Sequence, residues 1–134
     1  MIEWVVGHNL ARSHRPGYSW GQAIFVPIAD VDAWIAEVRI FGINSIICLL
    51  SDDQLPLYNQ IPDGLIAYYR TKGFTVAHVP ARDHQVPPLS QDHLERIGVA
   101  YKTLPKPVLV HCSAGADRTG MAVDYIQQKL RPDT

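Results

Sequence analysis

A run of apolar residues, Val108-Leu-Val-His111, leads straight into Cys-Ser-Ala-Gly-Ala-Asp-Arg and then Thr119-Gly120 at the head of a helical pattern. No other stretch restricts the fold as strongly. Strand, short loop of small residues, then helix is the local architecture of an anion site, because the loop's backbone N–H groups and the positive helix end converge on one point. Ser113, Ala114, Gly115, Ala116 and Asp117 are compact enough to let successive N–H groups form a concave nest for phosphate oxygens. Arg118 can fork two N–H donors onto two of those oxygens, which lysine cannot do. The same positive surroundings favour Cys112 as a thiolate nucleophile toward phosphorus. Thr119 can donate its hydroxyl to the sulfur and make it a better leaving group in a second step. Alone, Cys112 reads as a small core residue, Arg118 as a surface charge, Thr119 as a cap and His111 as a hydrogen-bonded core residue. Their joint spacing is what selects the chemical reading.

The rest of the chain supplies a matching frame. Apolar positions Val31, Trp34, Ile35 and Val38 mark one helix face, with Asp30 as expected N-cap and Gly42 as stop. Ile43 to Leu50 is a β-branch-rich run, expected as a central strand covered on both faces. A second helix is expected over Asp63–Lys72, and a strand over Phe74–Val79. Pro80, Pro87 and Pro88 make the next segment a stiff loop. Ser90 is expected to cap a helix with inner face Leu94, Ile97 and Tyr101. Short strands at Trp4–Val6 and Leu10-Ala11 precede a turn-rich stretch from Ser13 to Gln22. The last helix is expected over Thr119–Leu130, stopped by Pro132. Strands alternating with helices predict a single α/β domain over residues 1–134, with a central, mostly parallel sheet flanked by helices. The 134 residues are 47% hydrophobic, enough for a core without metal or disulfide staples.

A net charge of −1 gives no sign of nucleic-acid or membrane partners, and no apolar run of spanning length occurs. Met1-Ile-Glu-Trp does not read as a signal peptide, and two distant cysteines fit a reactive thiol in a reducing compartment. A cytoplasmic monomer is therefore expected. The six histidines show no close ligand spacing, so neither metal nor other cofactor is expected.

HCSAGADRTG resembles the signature loop of the protein tyrosine phosphatase superfamily, of the form HCxxGxxR[ST]. Val79-Pro-Ala-Arg-Asp-His-Gln-Val-Pro87 resembles that superfamily's mobile general-acid loop. The short chain and Gly42–Leu50 look most like its compact, dual-specificity-like prokaryotic branch. The resemblance implies that Asp83 protonates the leaving oxygen and then activates water, with Cys112 forming a phosphocysteine and His111 in support. The residues agree, since a phenol ionising only near about pH 10 needs a proton to leave. Arg82 and His84 flank Asp83, and Gln85 stands where the family usually has glycine. One bacterial branch has lysine and aspartate in the loop; here Ala116 takes the lysine position and Asp117 remains, as a partner of Arg118 or as a second acid. Some relatives carry a second cysteine that traps an oxidised nucleophile, but Cys48 lies about one pleat from that position and reads as a core thiol. Arg12, Ser13 and Arg15 are candidates for the cleft border.

The leading expectation is hydrolysis of phosphotyrosine, with phosphoserine or phosphothreonine as further substrates. The alternatives are a non-protein phosphomonoester such as an inositol phosphate, phosphoinositide or nucleotide, an inactive phosphate-binding module, and a sulfurtransferase or arsenate reductase.

Overall fold

The computed structural model describes residues 1–19 and 24–130. The expected turn-rich stretch thus has its end, Trp20 to Gln22, outside the described residues, and the expected stop at Pro132 lies outside them too. The elements are β1 (Glu3–Val6), β2 (Leu10–Ser13), α1 (Ile28–Ile40), β3 (Ser45–Cys48), a 3-10 turn (Leu55–Tyr58), α2 (Gly64–Thr71), β4 (Thr75–His78), α3 (Gln91–Thr103), β5 (Val108–His111) and α4 (Asp117–Leu130). They build an α/β fold around a five-stranded sheet of order β1-β2-β5-β3-β4. Only β1 runs antiparallel, against β2; the pairs β2–β5, β5–β3 and β3–β4 are parallel.

The period-2 alternation of the strands divides the core in two. Ala11, Ile46, Cys48 and Leu109 face one layer, where Val31, Trp34, Ile35 and Val38 of α1 and Leu65 and Tyr69 of α2 cover the sheet. Leu10, Ile47, Val108 and Val110 face the other, against Leu94, Ile97 and Tyr101 of α3 and Ala122, Val123 and Ile126 of α4. Both central strands, β3 and β5, are buried at every residue, which explains their uninterrupted apolar sequence.

Local signals account for most boundaries. Ser90 caps α3 by accepting from His93 N, and the His93 side chain accepts from Ser90 N in return. Gly42, with φ +73, ends α1 in a conformation that disfavours other residues. Besides shifts of one or two residues at β1, β2, α2 and β4, three boundaries differ from expectation. Pro27, not Asp30, is the N-cap of α1; its fixed φ of −61 suits that position, and Asp30 falls in the first turn, where its charge complements the helix end. The central strand is shorter than Ile43–Leu50, its residues in register with its neighbours running from Ser45 to Cys48. Helix α4 starts at Asp117 rather than Thr119, so Arg118 and Thr119 lie inside its first turn.

His111 joins the core to the end of β5. It is wholly buried, its Nδ1 lies 3.0 Å from Cys112 O and its Nε2 lies 2.9 Å from Tyr69 Oη. A carbonyl can only accept, so Nδ1 carries the proton and Nε2 accepts from the tyrosine hydroxyl. Trp34 stacks on Tyr69 and meets His111 edge-on, and its Nε1 donates to His14 O at 3.1 Å. Burial is the main cause that lowers the His111 pKa to about 4. An unfolded imidazole, with its ordinary value of 6.5, binds a proton that the folded one refuses. This contribution to stability is therefore complete above about pH 6.5 and is lost as pH falls through about 4. In urea unfolding at pH 7 and pH 4, the wild type is expected to lose on the order of 3 kcal/mol more than His111→Gln. Equal losses would show that His111 is not the proton acceptor.

Candidate active site

The C-terminal ends of β2, β3, β4 and β5 open onto a cleft of about 850 Å³. Its lining brings Cys112, Ser113, Ala114, Ala116, Asp117 and Arg118 together with Asp83, His84 and Gln85 of the proline-stiffened loop. Two segments distant in sequence thus converge on one volume, as parallel strand ends are placed to do.

The Cys112–Arg118 loop owes its shape to close contact with β2. Gly115 has φ +77, and a Cβ there would lie 2.6 Å from Ser13 O, so no larger residue fits. Arg12 Nη2 donates to Gly115 O at 2.8 Å, and Arg15 N donates to Ser113 O at 2.8 Å. Among the described residues, the N–H groups of Ser113, Ala114, Gly115 and Ala116 have no backbone carbonyl partner. Cys112 is 2% exposed at the floor of the cleft.

Arg118 is buried, and the two edges of its guanidinium differ. Nη1 donates to Ala81 O at 2.7 Å and Gln54 Oε1 at 2.9 Å, with Leu49 O at 3.3 Å. Nε and Nη2 are buried and have no hydrogen-bond partner. Nη2 does lie 3.2 Å from Asp83 Oδ2, an ion pair by distance whose angle is too poor for a hydrogen bond. One edge is fixed by strand ends; the other faces Asp83 but makes no hydrogen bond, and its two donors suit two oxygens of an anion. Thr119 Oγ1 is likewise buried without a partner.

Asp83 accepts from His84 N at Oδ1, 3.0 Å away. Gln54 Nε2 donates to its Oδ2 at 3.4 Å, and its side chain is 31% exposed. His84 beside it has φ 61, a strained value for a residue with a Cβ. Arg82, His84 and Gln85 all line the cleft and are exposed. Asp117 is exposed and, among the described residues, forms no ion pair; the carboxylate beside Arg118 is that of Asp83.

Of the early residues, Arg15 lines the cleft, Arg12 lies behind the loop, and Ser13 is buried. Cys48 is fully buried, and burial pushes its thiol up to about 12, as fits a core residue. Both cysteines are free. His111 sits beneath the cleft rather than in it. Sequence reasoning passed over Gln54, which links Arg118 to Asp83 and also hydrogen-bonds Ser51. Its only sequence signal was its place shortly after a buried strand, where loops carry site residues. Among the described residues, no group of three or more His, Cys, Asp or Glu could hold a metal, and no helix is long and apolar enough to cross a membrane.

Residues 27–128 match the family model Tc-R-P, described as a polymorphic toxin system, DSP-PTPase phosphatase. No curated protein matches the sequence. Among solved structures, the chain superposes on Tk-PTP with a TM-score of 0.62 at 21% identity, over 95% of this chain and 71% of that one. The core catalytic domain of the PP-IP phosphatase SIW14 from S. cerevisiae gives 0.58 at 18% identity, over 95% and 65%. A putative phosphatase (DUF442) from Shewanella putrefaciens CN-32 gives 0.61 at 15%, over 97% and 69%. At such identities the superpositions speak for the fold, and the family match speaks for the rest. With its cysteine and arginine loop set in that fold, the chain belongs to the DSP-PTPase phosphatases of the polymorphic toxin systems, within the protein tyrosine phosphatase superfamily.

Proposed function

We propose that residues 1–134 form one dual-specificity-like phosphatase domain that hydrolyses phosphotyrosine in proteins through a phosphocysteine on Cys112, with phosphoserine and phosphothreonine as secondary substrates. The observation that carries this reading is the free Nε/Nη2 edge of Arg118, buried in the same cleft as Cys112. A buried guanidinium with unused donors costs stability until an anion fills them. The loop N–H groups of Ser113, Ala114, Gly115, Ala116 and Asp117 complete the cradle, with the first turn of α4 behind them.

In the reaction, the Cys112 sulfur attacks phosphorus and the ester oxygen leaves with a proton from Asp83. Phosphate entering the cradle takes the Nη2 donor now facing Asp83, and the released carboxylate takes up a proton from solvent and turns toward the leaving oxygen as the acid. Asp83, then a carboxylate, draws a proton from water, which attacks the phosphocysteine. Thr119 stabilises the departing thiolate through its unpartnered hydroxyl. Gln54 is a positioning residue, holding both Arg118 and Asp83. Half-buried Tyr18 and Leu57 in the lining offer apolar contact for a substrate phenyl ring. The proposal is of a cytoplasmic monomer that needs no metal or cofactor. A second reading, a non-protein phosphomonoester, draws support from Arg15 in the cleft lining and from the likeness to SIW14, a PP-IP phosphatase.

Cys112→Ser is expected to abolish turnover while phosphate or vanadate binding persists; substantial residual hydrolysis would contradict a thiolate nucleophile. Arg118→Lys keeps the charge and loses the fork, so kcat/KM should fall several hundredfold, roughly 3–4 kcal/mol of transition-state stabilisation. Asp83→Asn should lower kcat by about 10²-fold for phosphotyrosine but far less for an aryl phosphate with an electron-poor leaving group. Asp117→Asn should act alike on all leaving groups. Leaving-group sensitivity appearing in Asp117→Asn alone would reverse the assignment of the acid. Gln54→Ala, measured with phosphotyrosine, should cost about tenfold in kcat/KM. An unchanged value would show that Arg118 and Asp83 hold their places without it.

A further inference from the structure

Arg15 is 2% exposed, yet among the described residues no carboxylate lies within ion-pair distance of it. Buried arginines are ordinarily paired, because an uncompensated charge out of water is costly. The partners it does have are neutral and distant: Ser113 Oγ at 3.3 Å from Nε, and Tyr58 Oη at 3.3 Å and Pro16 O at 3.4 Å from Nη1. Tyr58 meanwhile donates its own hydroxyl to Pro16 O at 2.7 Å, so it meets the guanidinium only as an acceptor. No hydrogen bond from Arg15 Nη2 to protein occurs among the described residues. The guanidinium lies over the ring of Tyr18, 5.7 Å from its centroid, and that ring also lines the cleft.

The position is specific. Arg15 contacts Ser113, the first residue of the loop after Cys112, whereas Arg118 closes that loop from its far end. The cleft thus holds two buried arginines, one contacting the first residue of the nucleophile's loop and one ending that loop, while the reaction on one phosphate uses the Nε/Nη2 edge of Arg118. The other charges facing the cleft are Arg82 and His84, both exposed, and the carboxylates Asp53, Asp83 and Asp117. Those carboxylates repel an anion, and beyond Arg118 the Arg15 guanidinium is the buried cation that attracts one.

We propose that Arg15 receives a second phosphate group of the substrate, so that the preferred substrates carry two phosphates close together, one in the cradle and one on the Arg15 guanidinium. The planar fork suits phosphate, and the desolvated setting strengthens the contact. The inference rests on the phosphatase reading but fails separately from it: Cys112-dependent turnover of singly phosphorylated compounds would stand without any role for Arg15.

The test compares kcat/KM within two substrate pairs, in the wild type and in Arg15→Gln. One pair is a phosphotyrosine peptide whose adjacent tyrosine is either free or phosphorylated. The other is propane-1,3-diol monophosphate and its bisphosphate. In at least one pair, the wild type is expected to favour the doubly phosphorylated member by roughly tenfold or more, and Arg15→Gln to reduce that preference to below about threefold. The responding pair tells whether the second phosphate comes from a protein or from a small molecule. The absence of a wild-type preference in both pairs would overturn the proposal, as would an Arg15→Gln loss that falls equally on both members. Should Arg15→Gln not fold, the same ratio is read in Arg15→Lys, which keeps the charge without the fork. There the preference should shrink by about threefold or more, and an unchanged ratio would overturn the proposal.

Discussion

The rest of the site depends on how the Arg118 guanidinium is divided between structure and chemistry. Nη1 is held by carbonyls at the ends of two strands, Leu49 after β3 and Ala81 after β4, and by the Gln54 side chain. Nε and Nη2 are left buried without a hydrogen-bond partner. A flexible arginine would have to be ordered each time an anion bound, and the lost rotamer freedom would weaken every contact it made. Here the fold has already ordered it. The cost is a set of unsatisfied donors in the resting protein, offset in part by the ion pair with Asp83 at 3.2 Å.

The sheet makes this arrangement possible. Parallel pairing of β2, β5, β3 and β4 sends all four strand ends to one edge, so loops far apart in sequence meet there. Register then sets the details. Cys48 pairs with His111, and Ser13 also pairs with His111, so Cys112 follows directly from the row where three strands end. The close approach of Gly115 to the Ser13 carbonyl and the donation from Arg12 clamp the loop onto β2. Beneath it, His111, Tyr69 and Trp34 form a buried stack that ties the strand to α1 and α2.

Much of this was legible in the sequence because it depends on local rules. The apolar runs of β3 and β5, the Ser90 cap of α3 and the stop at Gly42 each follow from residues adjacent in the chain. The loop from Cys112 to Arg118 could be proposed as a site for the same reason: its residues are contiguous. What escaped was long-range. Gln54 acts on Arg118 across 64 positions, and no window of sequence joins them; Arg15 could be read as a cleft-border candidate, but not its contact with Ser113 across 98 positions. The cap of α1 was misplaced because Asp30 has the favoured side chain, while Pro27 supplies the required backbone geometry without any side-chain bond. Asp117 could be read as a partner of Arg118 from adjacency alone, yet neighbours on a helix's first turn point apart, and the carboxylate that reaches the guanidinium is that of Asp83.

The account's central claim is that phosphate passes through the sulfur of Cys112 while resting on the free edge of Arg118. Rapid acid quench during turnover of a radiolabelled phosphotyrosine peptide, followed by peptide mapping, tests this most directly. The account predicts a labelled phosphoenzyme within the first turnover, with the label on Cys112 and its yield sharply reduced in Arg118→Lys. Turnover at the full rate with no labelled protein, or with the label on a histidine or an aspartate, would contradict it.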